Sequence, residues 1–397
     1  MADKLNLLMI THNYPRFKGD FAGVFISLLA RKLLDYDIQP VVIAPHDKGL
    51  KEYEVIDGVK IYRFRYHVKE AFETIAYRGN MHKLVLGSVS GIFKFKRFLD
   101  CFRKSALDVI EKEKIDIIAG HWLIPAGNVM KTIAQKKNIP MILSSHGTDI
   151  RLMSRYFRVT YRFFEKFCLK LKRWTVVSSY LKDNIVSLDP RLENILEVLP
   201  MPHDETVFYV DDTIQREENL IVAVTRFTEQ KRVNYLVNAF ALVSEMNPDA
   251  VLEIYGKGPL QEQIEQQIMK LGLGEKVKIF HPIPQEALRV VYNRATMVIL
   301  NSFEDGFGLA LSEAMLCGAG VIGTDSGGVK DIIRHNENGL LVELDNSQQL
   351  AEAILSLLNN KTMREKLSNR GNTFARNNYA SAALAGRYAE IVKKALE

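Results

Sequence analysis

Cysteine is scarce in this chain of 397 residues. The three present, Cys101, Cys168 and Cys317, lie far apart with no CxxC pair, which argues against a disulfide scaffold and a thiolate zinc site. No uncharged apolar run approaches the roughly 18–20 residues needed to span a bilayer. The first residues, MADKLNLLMITHNYP, lack the basic start, long apolar run and small-residue cleavage site of a secretory signal, so a reducing, cytoplasmic setting is expected. Zinc-finger spacing, an RNP-like aromatic signature and zipper heptads are all missing, and nucleic acid is not expected as a partner. No low-complexity segment or short-period repeat is visible.

What remains is an ordinary globular composition, 47% hydrophobic and 25% charged, at a length that suggests two domains, each able to bury its own core. The net charge of +6 hides an asymmetry: residues 1–200 carry a formal +12 and residues 201–397 carry −6. Such a polarised surface suits an anionic substrate or an anionic membrane face.

Short apolar, β-branched runs alternate with amphipathic helical stretches throughout. The strand candidates in the first half are Leu5–Thr11, Pro40–Pro45, Val59–Phe64, Ile115–His121, Met141–His146 and Thr175–Ser179. In the second half they are Asn219–Arg226, Ala250–Gly256, Val277–Phe280, Met297–Ser302, Gly320–Asp325 and Gly339–Val342. Continuous apolar runs of this kind belong to parallel strands covered on both faces. The predicted fold class is therefore α/β, with two Rossmann-like doubly wound domains facing across a cleft and ligands at the carboxyl ends of both sheets. The boundary falls near Leu199-Pro200-Met201-Pro202-His203-Asp204, and the acidic stretch to Glu218 reads as a linker. This makes residues 1–202 one domain and 203–378 the other, with a last helical segment (379–397, its pattern clearest over Ser381–Leu396) long enough to reach back to the first.

Five segments carry chemistry. In Asn301-Ser-Phe-Glu-Asp305-Gly-Phe-Gly-Leu-Ala-Leu-Ser-Glu313, a strand ends, a Gly-x-Gly turn follows, and a helix pattern starts near Leu309. Backbone amides at that helix start, freed by Gly306 and Gly308, suit an anion. Asp305 before the helix and Glu313 inside it suit sugar hydroxyls; an ordinary strand–turn–helix with a capping acid fits the same pattern. In Val224-Thr-Arg226-Phe-Thr-Glu-Gln-Lys231-Arg232, two cations stand between a strand end and a helix start, where a cation opposes the helix dipole. They suit a diphosphate, although a solvated charged turn reads alike. Ser144-Ser-His146-Gly-Thr-Asp149 and Gly120-His121-Trp122 place imidazoles at strand ends, where a structural role is equally open. Lys18-Gly19-Asp20-Phe-Ala-Gly23 follows the first strand and could lay amides against phosphate.

Together these segments resemble the GT-B glycosyltransferases, in particular the large retaining family 4. The likeness rests on Glu304-Asp-Gly-Phe-Gly-Leu-x-x-x-Glu313-Ala-Met-x-x-Gly, on Thr324-Asp-Ser-Gly-Gly328, on Arg226 with Lys231, on Tyr255-Gly-Lys-Gly-Pro259 and on His146-Gly147, all in family order. The resemblance implies a nucleotide-sugar donor bound mostly by the second domain and a glycan or lipid-linked acceptor held by the first. In that frame Arg226 and Lys231 neutralise the leaving diphosphate, Glu313 holds the ribose, Asp305 the transferred sugar, and His146 reaches that sugar. Amides of Phe307, Gly308 and Leu309 contact sugar and phosphate. Gly19, Gly256, Gly258 and Gly306 complete the donor-binding set, and Asp20, Gly23, His121 and Asp149 fall on the acceptor side. Positioning and charge stabilisation supply most of the rate. No cofactor or metal is implied, and Asp35-Tyr-Asp37 reads as a solvated turn rather than a metal-binding pair.

Three departures from the family pattern bear on donor identity: aspartate at 305 where glutamate is usual, with Glu304 beside it; Lys257 where an acid is frequent; and Arg232 where glycine is frequent. A sugar-nucleotide epimerase of similar architecture and a non-catalytic two-lobed binding protein are the alternatives. Finally, Arg151, Arg155, Arg158, Arg162, Lys166, Lys170 and Arg173 draw a cationic stripe along a helical stretch. Tyr156, Phe157, Phe163, Phe164, Phe167 and Leu171 supply its apolar surface. Residues 151–173 therefore read as a candidate site for an anionic membrane surface, or as a solvated helix packed through its aromatics. Phe93-Lys94-Phe95-Lys96-Arg97-Phe98 repeats the mixture upstream.

Overall fold

The computed structural model describes residues 4–78, 81–155 and 158–397. Its chain divides into two compact units: Met1–Val177, Leu181–Pro202 and Ser381–Glu397 form unit 1, while Ser178–Tyr180 and His203–Ala380 form unit 2.

Unit 1 is built on eight strands: β1 (Leu5–Ile10), β2 (Ile38–Pro45), β3 (Tyr53–Ile56), β4 (Val59–Phe64), β5 (Ile117–His121), β6 (Met141–Ser145), β7 (Arg173–Val176) and β8 (Leu196–Val198). Their order in the sheet is β3-β4-β2-β1-β5-β6-β7-β8. All neighbours run parallel except β3 and β4. The central strands read as continuous apolar runs because both faces are covered; all five residues of β5 and of β6 are buried. Two edge strands lie outside the sequence expectation. β3 is an exposed hairpin partner of β4, joined through Asp57-Gly58, both with positive φ (49° and 79°). That is the two-residue turn whose twist matches antiparallel strands. β8 is only three residues long. The core gathers Leu7, Met9, Ile26, Val42 and Ile117 with Leu384, Ala385, Tyr388 and Val392 of the last helix, Ser381–Lys394.

Unit 2 holds β9 (Glu217–Val224), β10 (Val251–Tyr255), β11 (Val277–Phe280), β12 (Ala295–Leu300), β13 (Gly320–Thr324) and β14 (Leu340–Val342), all parallel, in the order β11-β10-β9-β12-β13-β14. The acidic stretch expected to act as a linker is fastened to this unit. Phe208 is buried, Asp211 accepts from Arg289 and donates its amide to Asn293, and Arg216 donates to the carbonyl of Cys317. One apolar anchor and a set of charge-assisted bonds remove its freedom.

Each sheet reverses its strand order once, between β1 and β5 in unit 1 and between β9 and β12 in unit 2. The loops leaving the carboxyl ends of those strands turn to opposite faces there, which is the usual ligand position in open α/β sheets.

The cationic stripe is not one helix: Arg151 and Arg155 lie on Thr148–Arg155, Arg158, Arg162 and Lys166 on Arg158–Cys168, Lys170 in the turn that follows, and Arg173 opens β7. Tyr156 and Phe157, and the side chains of Arg155 and Arg158, lie outside the described residues. Phe164, Phe167 and Leu171 are buried within unit 1, whereas Phe163, Arg162, Lys166 and Lys170 are exposed. Among the described residues no helix is long and apolar enough to cross a membrane.

Because Leu384 is wholly inside the unit 1 core, Leu384→Ala should lower the stability by about 2–5 kcal/mol. Urea denaturation followed by circular dichroism measures this, and an unchanged midpoint would mean that the last helix adds nothing to that core.

Candidate active site

The two loops at the unit 2 switch point are tied into one body. Phe303 donates its amide to the carbonyl of Gln230 at 2.8 Å, and the Gln230 side chain returns a bond to the Glu304 carbonyl at 3.1 Å. Asn301 donates to the carbonyl of Arg232 at 3.1 Å. Within this frame Lys231, on a short turn (Glu229–Lys231) ahead of the helix Val233–Met246, forms an ion pair with Asp305. Ser302 donates its hydroxyl to the same carboxylate at 3.0 Å. Burial works against ionisation of Asp305, but the Lys231 ammonium, the Ser302 hydroxyl and the Gly306 amide hold its carboxyl below the usual range. Arg226 stands two residues past the end of β9; its side chain is exposed and has no ion-pair partner among the described residues. A lone guanidinium and a carboxylate-held ammonium thus flank the same switch point.

The helix Leu309–Leu316 starts directly behind Asp305, and Gly308 precedes it with φ 111° and no side-chain cap. A positive φ of this size is costly for any residue with a Cβ, and the missing cap leaves first-turn amides available to an anion. Phe307 is buried, its ring edge-on to Tyr379 at 5.3 Å, so only its backbone is available to a ligand. Glu304, beside Asp305, has a left-handed backbone (φ 47°) and donates its amide to Ser326.

Glu313 projects from the first turn and a half of that helix into a buried setting, where Tyr292 donates its hydroxyl at 3.0 Å. Burial pushes the carboxyl up to about 7, with the tyrosine bond opposing. Tyr292, twenty-one residues earlier, was not among the sequence candidates; only the fold brings it to Glu313. Ser312, next to it, bonds His203 at 2.7 Å.

Gly256 and Gly258 sit where the β10 loop presses on the β9 loop. A Cβ at Gly256 would lie 1.8 Å from the Thr225 carbonyl oxygen, and one at Gly258 2.3 Å from that of Phe227. Their absence of side chain is needed for backbone contact next to Arg226. Lys257 between them is exposed. Arg232 adopts φ 46°, the conformation that favours glycine, and its guanidinium turns to Asp345 at 2.9 Å.

In unit 1, three adjacent strands each end on an imidazole: His12 after β1, His121 closing β5 and His146 after β6. His121 and His146 share a bond of 3.1 Å, and Trp122 packs against both His12 and His146 at 4.6 Å between ring centres. Burial lowers all three: His12 to about 4, His121 to about 3 with His12 adding to the effect, and His146 well below its ordinary value with His121 and His12 adding. The row is neutral near pH 7, and the atoms His12 Nδ1, His121 Nε2 and His146 Nδ1 are buried without a partner among the described residues. Such nitrogens can donate to or accept from sugar hydroxyls. His12 was missed by the sequence reading, although its place at the end of a strand matches that of the other two.

Asp149 and Asp20 are held inside unit 1. Asp149 accepts from the Leu123 amide at 2.9 Å and the Ser145 hydroxyl at 2.7 Å, which fixes the loop after β5. Asp20 accepts from Arg16 at 2.7 Å, and Arg16 also reaches Asp47 at 2.9 Å. Gly19 is exposed with φ 86°. Gly23, at φ 63°, precedes the helix Val24–Leu33, and a Cβ there would strike the Asn13 carbonyl oxygen at 2.1 Å.

Two doubly wound units, one carrying an uncapped helix start beside paired cation and acid, define a nucleotide-sugar-dependent glycosyltransferase of the GT-B type. Two family models match successive parts of the chain, Glycosyltransferase Family 4 over residues 22–204 and Glycosyl transferases group 1 over residues 210–374, and the chain belongs to that family. It is 26% identical over 343 residues to an uncharacterised glycosyltransferase, MJ1178, of Methanocaldococcus jannaschii, covering 85% of this chain and 93% of the relative. Among solved structures, sucrose-phosphate synthase from Thermosynechococcus elongatus superimposes with a TM-score of 0.78 at 19% identity, covering 98% of each chain. Anabaena Alr3699/HepE in complex with UDP gives 0.75 at 15% identity over 98% of this chain and all of its own.

The neutral row has a thermodynamic consequence. Each imidazole binds its proton less readily folded than unfolded, so between about pH 6.5 and 4 the unfolded chain takes up more protons and stability falls with acidification. Melting temperatures recorded from pH 7 down to 5 should drop, and less steeply in His12→Gln than in the parent. Equal slopes would contradict the neutral state of His12.

Proposed function

We propose that the chain is a retaining glycosyltransferase that moves a sugar from a nucleoside-diphosphate donor to a glycan or lipid-linked acceptor, in surface polysaccharide or glycolipid synthesis. The observation that carries this reading is the Lys231–Asp305 pair set before the uncapped start of the helix Leu309–Leu316. A diphosphate meets an ammonium, a guanidinium and a row of amides at one switch point, so its developing charge is met without a metal. Asp305, kept ionised, is an acceptor for the hydroxyls of the transferred sugar. Glu313 accepts the ribose hydroxyls. Unit 1 holds the acceptor, its neutral imidazoles offering hydrogen bonds without attracting an anion away from unit 2.

Under this reading the residues position and stabilise charge rather than form a covalent intermediate. Lys231→Ala should lower kcat/KM by about 10²–10³-fold and abolish the rise in melting temperature produced by the preferred nucleoside diphosphate. Screening UDP, GDP and ADP identifies that nucleotide, and full activity with an undiminished thermal shift in Lys231→Ala would refute the donor site. Glu313 gives a second test. Its carboxyl, raised to about 7, must ionise to accept two hydroxyls, so nucleotide affinity should strengthen as pH rises from 6 to 8. Glu313→Gln, measured by calorimetry, should show a flat profile; a profile as steep as the parent's would remove Glu313 from the ribose.

A further inference from the structure

Exposed apolar side chains in unit 1 concentrate at the carboxyl edge of its sheet. The helix Val89–Glu113 runs antiparallel to β4: Phe98 and Phe102 pack on Phe64 at the end of that strand, and Glu113 meets Lys60 and Tyr62 nearer its start. The turns before Phe98, about 13 Å of helix at 1.5 Å per residue, therefore project past the sheet edge. They carry Val89, Ile92 and Phe93, exposed at 71%, 53% and 68%. Two loops from the same edge add to them. After β1 come Phe17 and Phe21, and after β4 come Val68 and Phe72, all more than half exposed.

Cations stand between these side chains. Lys18, Lys69, Lys94, Lys96 and Arg97 are exposed, and none has a carboxylate partner among the described residues. The acids nearest them in sequence are engaged elsewhere: Glu70 lies beside Arg65, and Asp100 is paired with Arg103. Unit 1 as a whole holds 36 Lys and Arg against 23 Asp and Glu, whereas unit 2 holds 17 against 24.

We infer that this edge of unit 1 docks on an anionic lipid surface, with Ile92 and Phe93 entering the headgroup boundary and the lysines and Arg97 facing lipid phosphates. The apolar groups stand on three separate segments with long cations interleaved. A fluid surface accommodates that relief and keeps every ammonium hydrated or phosphate-bound; a folded partner would have to bury the ammoniums. The site differs from the stripe at 151–173, whose aromatics Phe164 and Phe167 are spent on the core of unit 1. The inference deepens the reading of a lipid-linked acceptor and rests on it for its purpose, but docking is measured without donor or acceptor.

Co-sedimentation of the full chain with vesicles of phosphatidylcholine and phosphatidylglycerol tests it. The parent should bind at low salt, bind phosphatidylcholine alone weakly, and be released at ~0.5 M salt. Ile92→Ser/Phe93→Ser and Lys94→Glu/Lys96→Glu should each weaken partitioning at least about tenfold, with unchanged melting temperature because the side chains are exposed. Phe163→Ser/Lys166→Glu should bind as the parent does. Lys231→Ala should also bind normally, so that loss of transfer and loss of docking are told apart. No sedimentation of the parent, equal uptake by neutral vesicles, or loss only in the Phe163 variant would each overturn the proposal. So would a dimer seen in gel filtration that Ile92→Ser/Phe93→Ser abolishes while lipid binding is absent.

Discussion

The ion pair between Lys231 and Asp305 organises the carboxyl edge of unit 2. A carboxylate this enclosed stays ionised only because an ammonium, the Ser302 hydroxyl and the Gly306 amide face it. In return it fixes two loops that start from adjacent strands. The same residue accepts the Gly328 amide on its carbonyl at 2.8 Å, so the turn after β13 is set by the position of Asp305 as well. Under the proposed donor reading, a nucleotide sugar entering this arrangement offers both partners a replacement: its diphosphate for the carboxylate on Lys231, and its sugar hydroxyls for the ammonium on Asp305. Both groups are thus held, charged and partly dehydrated, before the ligand arrives, which is how a protein avoids reorganisation during reaction.

Unit 1 solves a different problem. Its sheet also reverses order, between β1 and β5, yet the groups at that point are neutral imidazoles packed around Trp122 and Phe25. Desolvation of the His12, His121 and His146 rings makes protonating any one of them costly; His12 adds to the cost at His121, and both add to it at His146. The positive charge of the unit is carried on its rim instead. On the docking proposal, the cationic rim takes the anionic surface while the neutral centre fixes no anion. On this physical division rests the proposal that a hydroxyl-bearing acceptor and a lipid surface are recognised by separate parts of one unit.

Much of this architecture was legible in the sequence. Apolar runs, most of them continuous, marked every parallel strand except β8, whose three residues at a sheet edge bury too little to leave a pattern. β3 carries a legible signal, since Ile56-Asp-Gly-Val59 is a strong hairpin pattern, but it is the one antiparallel strand in an otherwise parallel alternation. The helix start at Leu309 was legible, with Lys231 and Asp305 beside it, because a strand end, a glycine turn and a helix start are local in sequence. Tyr292 was not, since nothing at position 292 announces a partner on another helix. The ties of Asp20 to Arg16 and of Asp149 to Leu123 and Ser145 were equally hidden; an acid near a strand end looks the same whether it meets a ligand or its own loop. The aromatic residues at 163, 164 and 167 share one composition signal, and only packing divides Phe163, which is exposed, from its two buried neighbours.

The motif glycines show why sequence signals at such sites are ambiguous in kind. Gly256 and Gly258 let the β10 loop touch the β9 loop, and Gly327 and Gly328 let the β13 loop touch residues 304–306 at distances no Cβ would allow. None of these contacts involves a ligand, yet each sets the height of a loop that carries Arg226, Glu304 or Asp305. A glycine motif in this unit therefore specifies the site at one remove. It fixes how closely three loops stack, and the stacking fixes where the charged side chains end. The sequence pattern that looks like a phosphate cradle is in large part the packing that makes the cradle rigid, and rigidity is what lets a few groups stabilise a leaving diphosphate.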